Sequence, residues 1–199
     1  PIKPALLSSE ACSISSFLEA QGIKNRVYNL DYLPKKWKRR LDLNKFTSYQ
    51  YEYWLNKADN PIWNMLRETV SRLRPKIAGI TMTTPQFNSG IIISRIIKET
   101  APDCILVGGG IHATSRPGEV LTEGKFDFVV RGEGEKAILD LVKCIYSGKN
   151  FYDIPGLCYK SNGELIVNKP YDYIENLDML PYPKRAIYSL EGEEYIDRS

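Results

Sequence analysis

The chain has 199 residues, 43% of them hydrophobic and 26% charged, with a net charge of +3, a composition that suits one good core and demands no nucleic-acid surface. No apolar run approaches the roughly 18 residues of a bilayer span and no signal peptide is legible, so the cytoplasm is the expected compartment. Cys12, Cys104, Cys144 and Cys158 stand far apart without a CxxC or CxxxCxxC, which excludes a cysteine-ligated cluster within this chain and, with a single histidine, leaves no zinc set.

The first legible element is a helix over 5–20, with Leu6, Leu7, Ala11, Ile14, Phe17 and Leu18 as its apolar stripe and Gly22 as its cap. Residues 24–30 alternate as a strand. A βαβ chain ordinarily opens on a strand, so a first, central strand is expected upstream of Pro1. Residues 32–59 carry a basic cluster, Lys35, Lys36, Lys38, Arg39 and Arg40, among aromatics that include Trp37, Phe46, Tyr49 and Trp54. They read as helical pieces on a surface. The basic cluster is a solvated face or a phosphate contact, and the aromatics pack on their own sheet or cover a ligand or another domain. Asn60-Pro61 pairs an N-cap with proline at the first helical position and opens a helix with Trp63, Leu66, Val70 and Leu73 inward, stopped by Pro75.

The run KIAGITM over 76–82 has the length and apolarity of a strand buried on both faces, with Thr81, Thr83 and Thr84 at its carboxyl end. A helix over 88–100 follows, its isoleucines at 91, 92, 93, 96 and 97 forming a broad buried face. Strands over 104–107 and 126–130 each end in a glycine-bearing turn, Gly108-Gly109-Gly110 and Arg131-Gly132-Glu133-Gly134-Glu135, with a short helix over 117–123 between them. A helix over 135–146 places Ile138, Leu141, Val142 and Ile145 on one face. This alternation specifies an α/β fold, a doubly wound, Rossmann-like, mostly parallel sheet of flavodoxin-like order with helices on both faces. Ligands of such sheets sit beyond the carboxyl ends of the strands, where both glycine turns fall. From 154 to 168 the pattern is a β-hairpin about Ser161-Asn162-Gly163, and 171–183 reads as a proline-punctuated linker. The expected division is a sheet domain over 1–150 and a hairpin with linker over 151–199, the last residues reading as the start of something continued.

The segment VGGGIHATSRPGEVLTEGKFDFVVRGEGEKAILDLV, preceded by IAGITMTTPQF and followed by IPGLCYKSNGELIVNKP and ENLDMLPYP, closely resembles the amino-terminal cobalamin-binding module of B12-dependent radical SAM proteins. That group includes the anaerobic magnesium-protoporphyrin IX monomethyl ester cyclase and many methyltransferases. The resemblance runs from about residue 5 to the end. It implies cobalamin bound by this domain, and a [4Fe-4S] cluster and S-adenosylmethionine only in a following domain that carries CxxxCxxC. It implies methyl transfer or radical cyclase chemistry in the full-length protein and an inactive module by itself. The implied partners are cobalamin and the protein's own radical SAM domain, with no nucleic acid and no membrane span.

Residue by residue, the resemblance implies that Thr81, Thr83 and Thr84 offer hydroxyls and amides to the nucleotide tail or to corrin amides. Gly108, Gly109 and Gly110 then leave room for the dimethylbenzimidazole nucleotide. Arg131, Gly132, Glu133, Gly134 and Glu135 frame a helix start whose amides favour an acceptor, and the two glutamates either cap that helix or accept from the ligand. His112 reads as a hydrogen-bonding residue near the tail and not as a cobalt ligand, because histidine-ligated B12 proteins carry that residue in a DxHxxG after the first strand, which would precede Pro1. No catalytic or metal-ligating residue is expected here. The absence of a nucleophile, a base pair or a metal cluster keeps a second reading open, a stand-alone nucleotide- or flavin-binding or regulatory doubly wound domain.

Overall fold

The computed structural model describes residues 9–30, 57, 60–172, 174–184, 186–188 and 194–196. The basic and aromatic stretch 32–59 lies outside the described residues apart from Lys57, as do residues 5–8 of the first expected helix.

Helix α1 (Ser9–Ala20) ends at Gly22, whose amide reaches the Glu19 carbonyl at 2.9 Å. The strand expected over 24–30 does not form: only Tyr28 makes an isolated bridge. Asn25 explains part of this, since its side chain donates to the carbonyls of Ser15 and Ile23 and accepts from the Ser15 hydroxyl, tying the segment back onto α1. Helix α2 (Pro61–Leu73) starts as expected, with the Asn60 side chain accepting from the Ile62 amide at 3.1 Å. Trp63, Leu66 and Val70 are buried, but Leu73, in the last turn, is exposed.

Strand β1 (Ile77–Thr81) leads through a 3-10 turn (Thr84–Gln86) into helix α3 (Phe87–Thr100). Ile91, Ile93, Ile96 and Ile97 of α3 are buried, while Ile92 is only half-buried. Strand β2 (Ile105–Gly109) runs two residues past its expected end, so Gly108 and Gly109 belong to the sheet and Gly110 alone makes the turn. A five-residue helix, α4 (Ile111–Ser115), precedes α5 (Pro117–Glu123), which forms where it was expected. After β3 (Phe128–Val130), helix α6 (Gly134–Ser147) closes on Gly148 in the left-handed conformation. The hairpin is β4 (Leu157–Ser161) and β5 (Glu164–Val167).

The sheet order is β1-β2-β3-β4-β5, with β1, β2 and β3 parallel and the hairpin added antiparallel through Val129 against Cys158 and Val130 against Leu157. The hairpin thus continues the sheet. Alternation splits the core in two. Leu106, Val129 and Cys158 face α2, α3 and the α4-α5 pair, packing with Trp63, Ile96 and Val120. Val107, Phe128, Val130, Leu157 and Tyr159 face α6 through Ala137 and Leu141. Helix α1 packs beside α6. The linker is held to these helices: Tyr171 donates to Asp140 of α6, and Lys184 reaches Ser16 through its amide and Glu19 through its ammonium, both on α1. A separate two-stranded sheet, β6 (Ala186–Tyr188) and β7 (Glu194–Ile196), follows. No helix among the described residues is long and apolar enough to cross a membrane.

Candidate functional site

Because β1, β2 and β3 are parallel neighbours, the segments leaving their carboxyl ends share one edge of the sheet. The two glycine turns are joined there by Thr114 of α4, whose hydroxyl accepts from the Gly132 amide at 3.1 Å and whose carbonyl accepts from Arg131 Nε at 3.2 Å. Helix α4 is itself held to the end of β1, since the His112 amide donates to the Met82 carbonyl at 3.2 Å.

The three glycines after Val107 serve different ends. A Cβ on Gly108 would lie 3.1–3.3 Å from Val120, Phe126 and Val129, so its missing side chain makes room for the core rather than for a ligand. Gly110 has φ +92°, and a Cβ there would sit 2.7 Å from the Met82 carbonyl oxygen and from Thr81 Oγ1. That glycine is required by the close approach of β1 and the β2 turn. Gly109 is the one whose Cβ would meet nothing within 4 Å, and Gly132 in the second turn is equally open. The open space of the edge therefore lies over Gly109 and Gly132.

The threonines differ in the same way. Thr81 donates its hydroxyl to Glu10 of α1 at 3.0 Å. Thr83, exposed, donates amide and hydroxyl to Gln86 Oε1. Thr84 is exposed and lies 3.3 Å from His112 Nδ1. His112 is buried, its ring 4.3 Å from that of Phe87, and its Nε2 faces Glu119 across 3.7 Å without a hydrogen-bond partner among the described residues. A metal could reach that nitrogen only by displacing protein, so the imidazole's visible work is to hold Thr84 and Phe87 beneath the edge.

At the second turn neither glutamate acts as a helix cap. Glu133 occupies the N-cap position with its side chain unengaged in capping and exposed, whereas Glu135 is buried and accepts from Ser13 of α1 at 2.7 Å. Ile14 of α1 covers Gly134, where a Cβ would lie 2.7 Å from Ile14 Cδ1. Helix α1 thus walls the edge from β1 to the start of α6. Its residues Glu10 and Ser13 carry no motif by which spacing could have found them.

Elsewhere, a cleft of about 700 Å³ opens along the far end of α6, lined by Asp140, Lys143, Cys144, Tyr146, Ile154 and Tyr171 among others. It touches neither glycine turn. Burial pushes the Cys104 and Cys158 thiols above their ordinary range, as befits inert core residues.

A family model described as the B12 binding domain matches residues 53–142, a span that contains both glycine turns and the β1 threonines. The matched span is a B12-binding domain of that family. This B12-binding domain is 36% identical over 138 residues to the anaerobic magnesium-protoporphyrin IX monomethyl ester cyclase of Rubrivivax gelatinosus, covering 67% of the chain and 24% of that protein. It is 32% identical over 135 residues to an uncharacterized methyltransferase of Pyrococcus horikoshii, covering 67% of the chain and 29% of the relative. The chain therefore spans under a third of the length of these relatives. Among solved structures, the radical S-adenosylmethionine methyltransferase TsrM from Kitasatospora setae, with cobalamin and a [4Fe-4S] cluster bound, aligns with a TM-score of 0.60 at 19% identity over 93% of this chain and 30% of its own. The cobalamin-dependent S-adenosylmethionine radical enzyme OxsB with aqua-cobalamin aligns with a TM-score of 0.64 at 16% identity over 92% of this chain and 22% of its own. These two likenesses establish the fold, the Rossmann-like sheet expected from the sequence.

Proposed function

We propose that this B12-binding domain seats cobalamin along the carboxyl edge of β1, β2 and β3 and serves as the cofactor module of a radical SAM methyltransferase or cyclase. One observation carries the placement: two glycine turns tied together by Thr114 leave open space over Gly109 and Gly132, where a flat, bulky ligand can lie against backbone. Thr83, Thr84 and the backbone from Gly109 to His112 form one side of this seat, and Arg131 to Glu135 the other. Gly108 and Gly110 shape it from beneath, and His112 positions Thr84 rather than binding cobalt. Cobalamin, when bound, supplies a cobalt centre able to carry a methyl group or an electron; the residues here hold and orient it. In this reading the [4Fe-4S] cluster and S-adenosylmethionine belong to a following domain, toward which the clasped linker leads, and the substrate is chosen there.

Titration of the purified protein with hydroxocobalamin, with FMN and an adenine nucleotide as controls, tests this. A saturable change in the corrin absorbance with a one-to-one end point is expected. Retention of FMN or the nucleotide without any cobalamin binding would favour the stand-alone module instead.

A further inference from the structure

Helix α1 lies outside the matched span, yet it brings a carboxylate to the proposed seat. Glu10 Oε2 accepts from Thr81 Oγ1 at 3.0 Å, and that same hydroxyl lies 2.7 Å from where a Cβ on Gly110 would be, so acid, hydroxyl and glycine turn are contiguous. The helix is not free to swing away. Ser13 donates to the buried Glu135 at 2.7 Å, Ile14 packs on Gly134, and Ser16 and Glu19 clasp Lys184 of the linker. Glu10 is nonetheless exposed. A carboxylate offers about four acceptor sites, and Thr81 uses one.

A second exposed carboxylate, Glu133, stands at the other glycine turn. Arg131, the basic residue within the second turn, is half-buried and donates Nε to the Thr114 carbonyl. The rim of the seat is therefore rich in acceptors. Corrinoids are edged by primary amides, whose N–H groups need acceptors, and hydrolysis of any one of them replaces a donor by a negative charge.

We propose that Glu10 contacts the ligand, taking the N–H of one corrin side-chain amide, and that it makes the seat selective for the amide form over the corresponding carboxylic acid. This rests on the cobalamin reading above. Like charges brought together at such a contact, together with the lost hydrogen bond, discriminate by about tenfold or more.

The test is calorimetric titration of the purified protein with cobalamin and with each separated cobalamin monocarboxylic acid. Wild type is expected to bind at least one isomer about tenfold more weakly than cobalamin. In Glu10→Gln that gap should close toward unity, because the new amide both accepts from the corrin and donates to a carboxylate. Thr81→Val, which removes the hydroxyl that orients Glu10, should narrow the gap for the same isomer, whereas Thr81→Ser should keep it. Circular dichroism of each variant checks the fold. Equal affinity of wild type for cobalamin and all isomers, or a gap that survives in Glu10→Gln, overturns the proposal while leaving cobalamin binding standing. A wild type that binds no cobalamin defeats both.

Discussion

Adjacent glycines at the end of β2 should respond oppositely to the same substitution. Alanine at Gly110 would place its Cβ 2.7 Å from the Met82 carbonyl oxygen and 2.8 Å from the Met82 nitrogen, in a residue at φ +92° and ψ −176°. That backbone region is essentially restricted to glycine and costs about 1–3 kcal/mol for other residues. The contact is with the backbone of β1, which the Met82 amide also ties to the Gly109 carbonyl at 3.0 Å, so relief requires moving two strand ends. Overpacking of this kind adds about 1–3 kcal/mol, and Gly110→Ala should therefore lose about 2–6 kcal/mol in urea unfolding. Gly109→Ala meets nothing within 4 Å and needs no unusual φ. Its stability should stay within about 1 kcal/mol of wild type, while its affinity for cobalamin falls about tenfold as the methyl intrudes on the ligand. The reasoning fails if Gly110→Ala unfolds at the wild-type urea concentration, or if Gly109→Ala binds cobalamin as wild type does.

Asn60→Ala removes the buried cap of α2 and should cost about 1–2 kcal/mol, read from the urea midpoint. Leu141→Ala, emptying a fully buried position where α6 meets the sheet, should cost about 2–5 kcal/mol in the same assay. Burial, then the hydrogen bond to Asp140, raises the Tyr171 pKa, so the unfolded chain ionises there first as pH rises. The stabilisation from this group is thus complete below the ordinary tyrosine pKa of about 10 and declines above it, and Tyr171→Phe should flatten that decline in unfolding curves taken at alkaline pH.

What the sequence made legible was what local chemistry decides. Asn60-Pro61 starts α2 where an N-cap and a first-position proline require, and Gly148 ends α6 in the conformation that glycine favours. The apolar run over 76–82 marked β1 because buried parallel strands leave continuous apolar signatures, and the second glycine turn follows β3 as expected, whereas Gly108 and Gly109 of the first lie inside β2. The strand expected over 24–30 was lost to side-chain ties that alternation does not reveal, Asn25 being drawn onto Ser15 of α1 ten residues earlier. The roles of the glycines escaped for a related reason. Nothing in Gly-Gly-Gly says that the first faces Val120, the second faces open space and the third abuts β1, since each depends on residues distant in sequence. The wall formed by α1 was likewise invisible, because Ser13 and Glu135 lie 122 residues apart.

The location of the cofactor is the claim on which the rest depends, and hydrogen exchange of the protein with and without hydroxocobalamin tests it most directly. Protection is predicted over 81–84, 108–114 and 131–135, with the amides around Lys143 and Tyr171 unchanged. Protection confined to the cleft at the far end of α6, with the glycine turns exchanging as before, would contradict it.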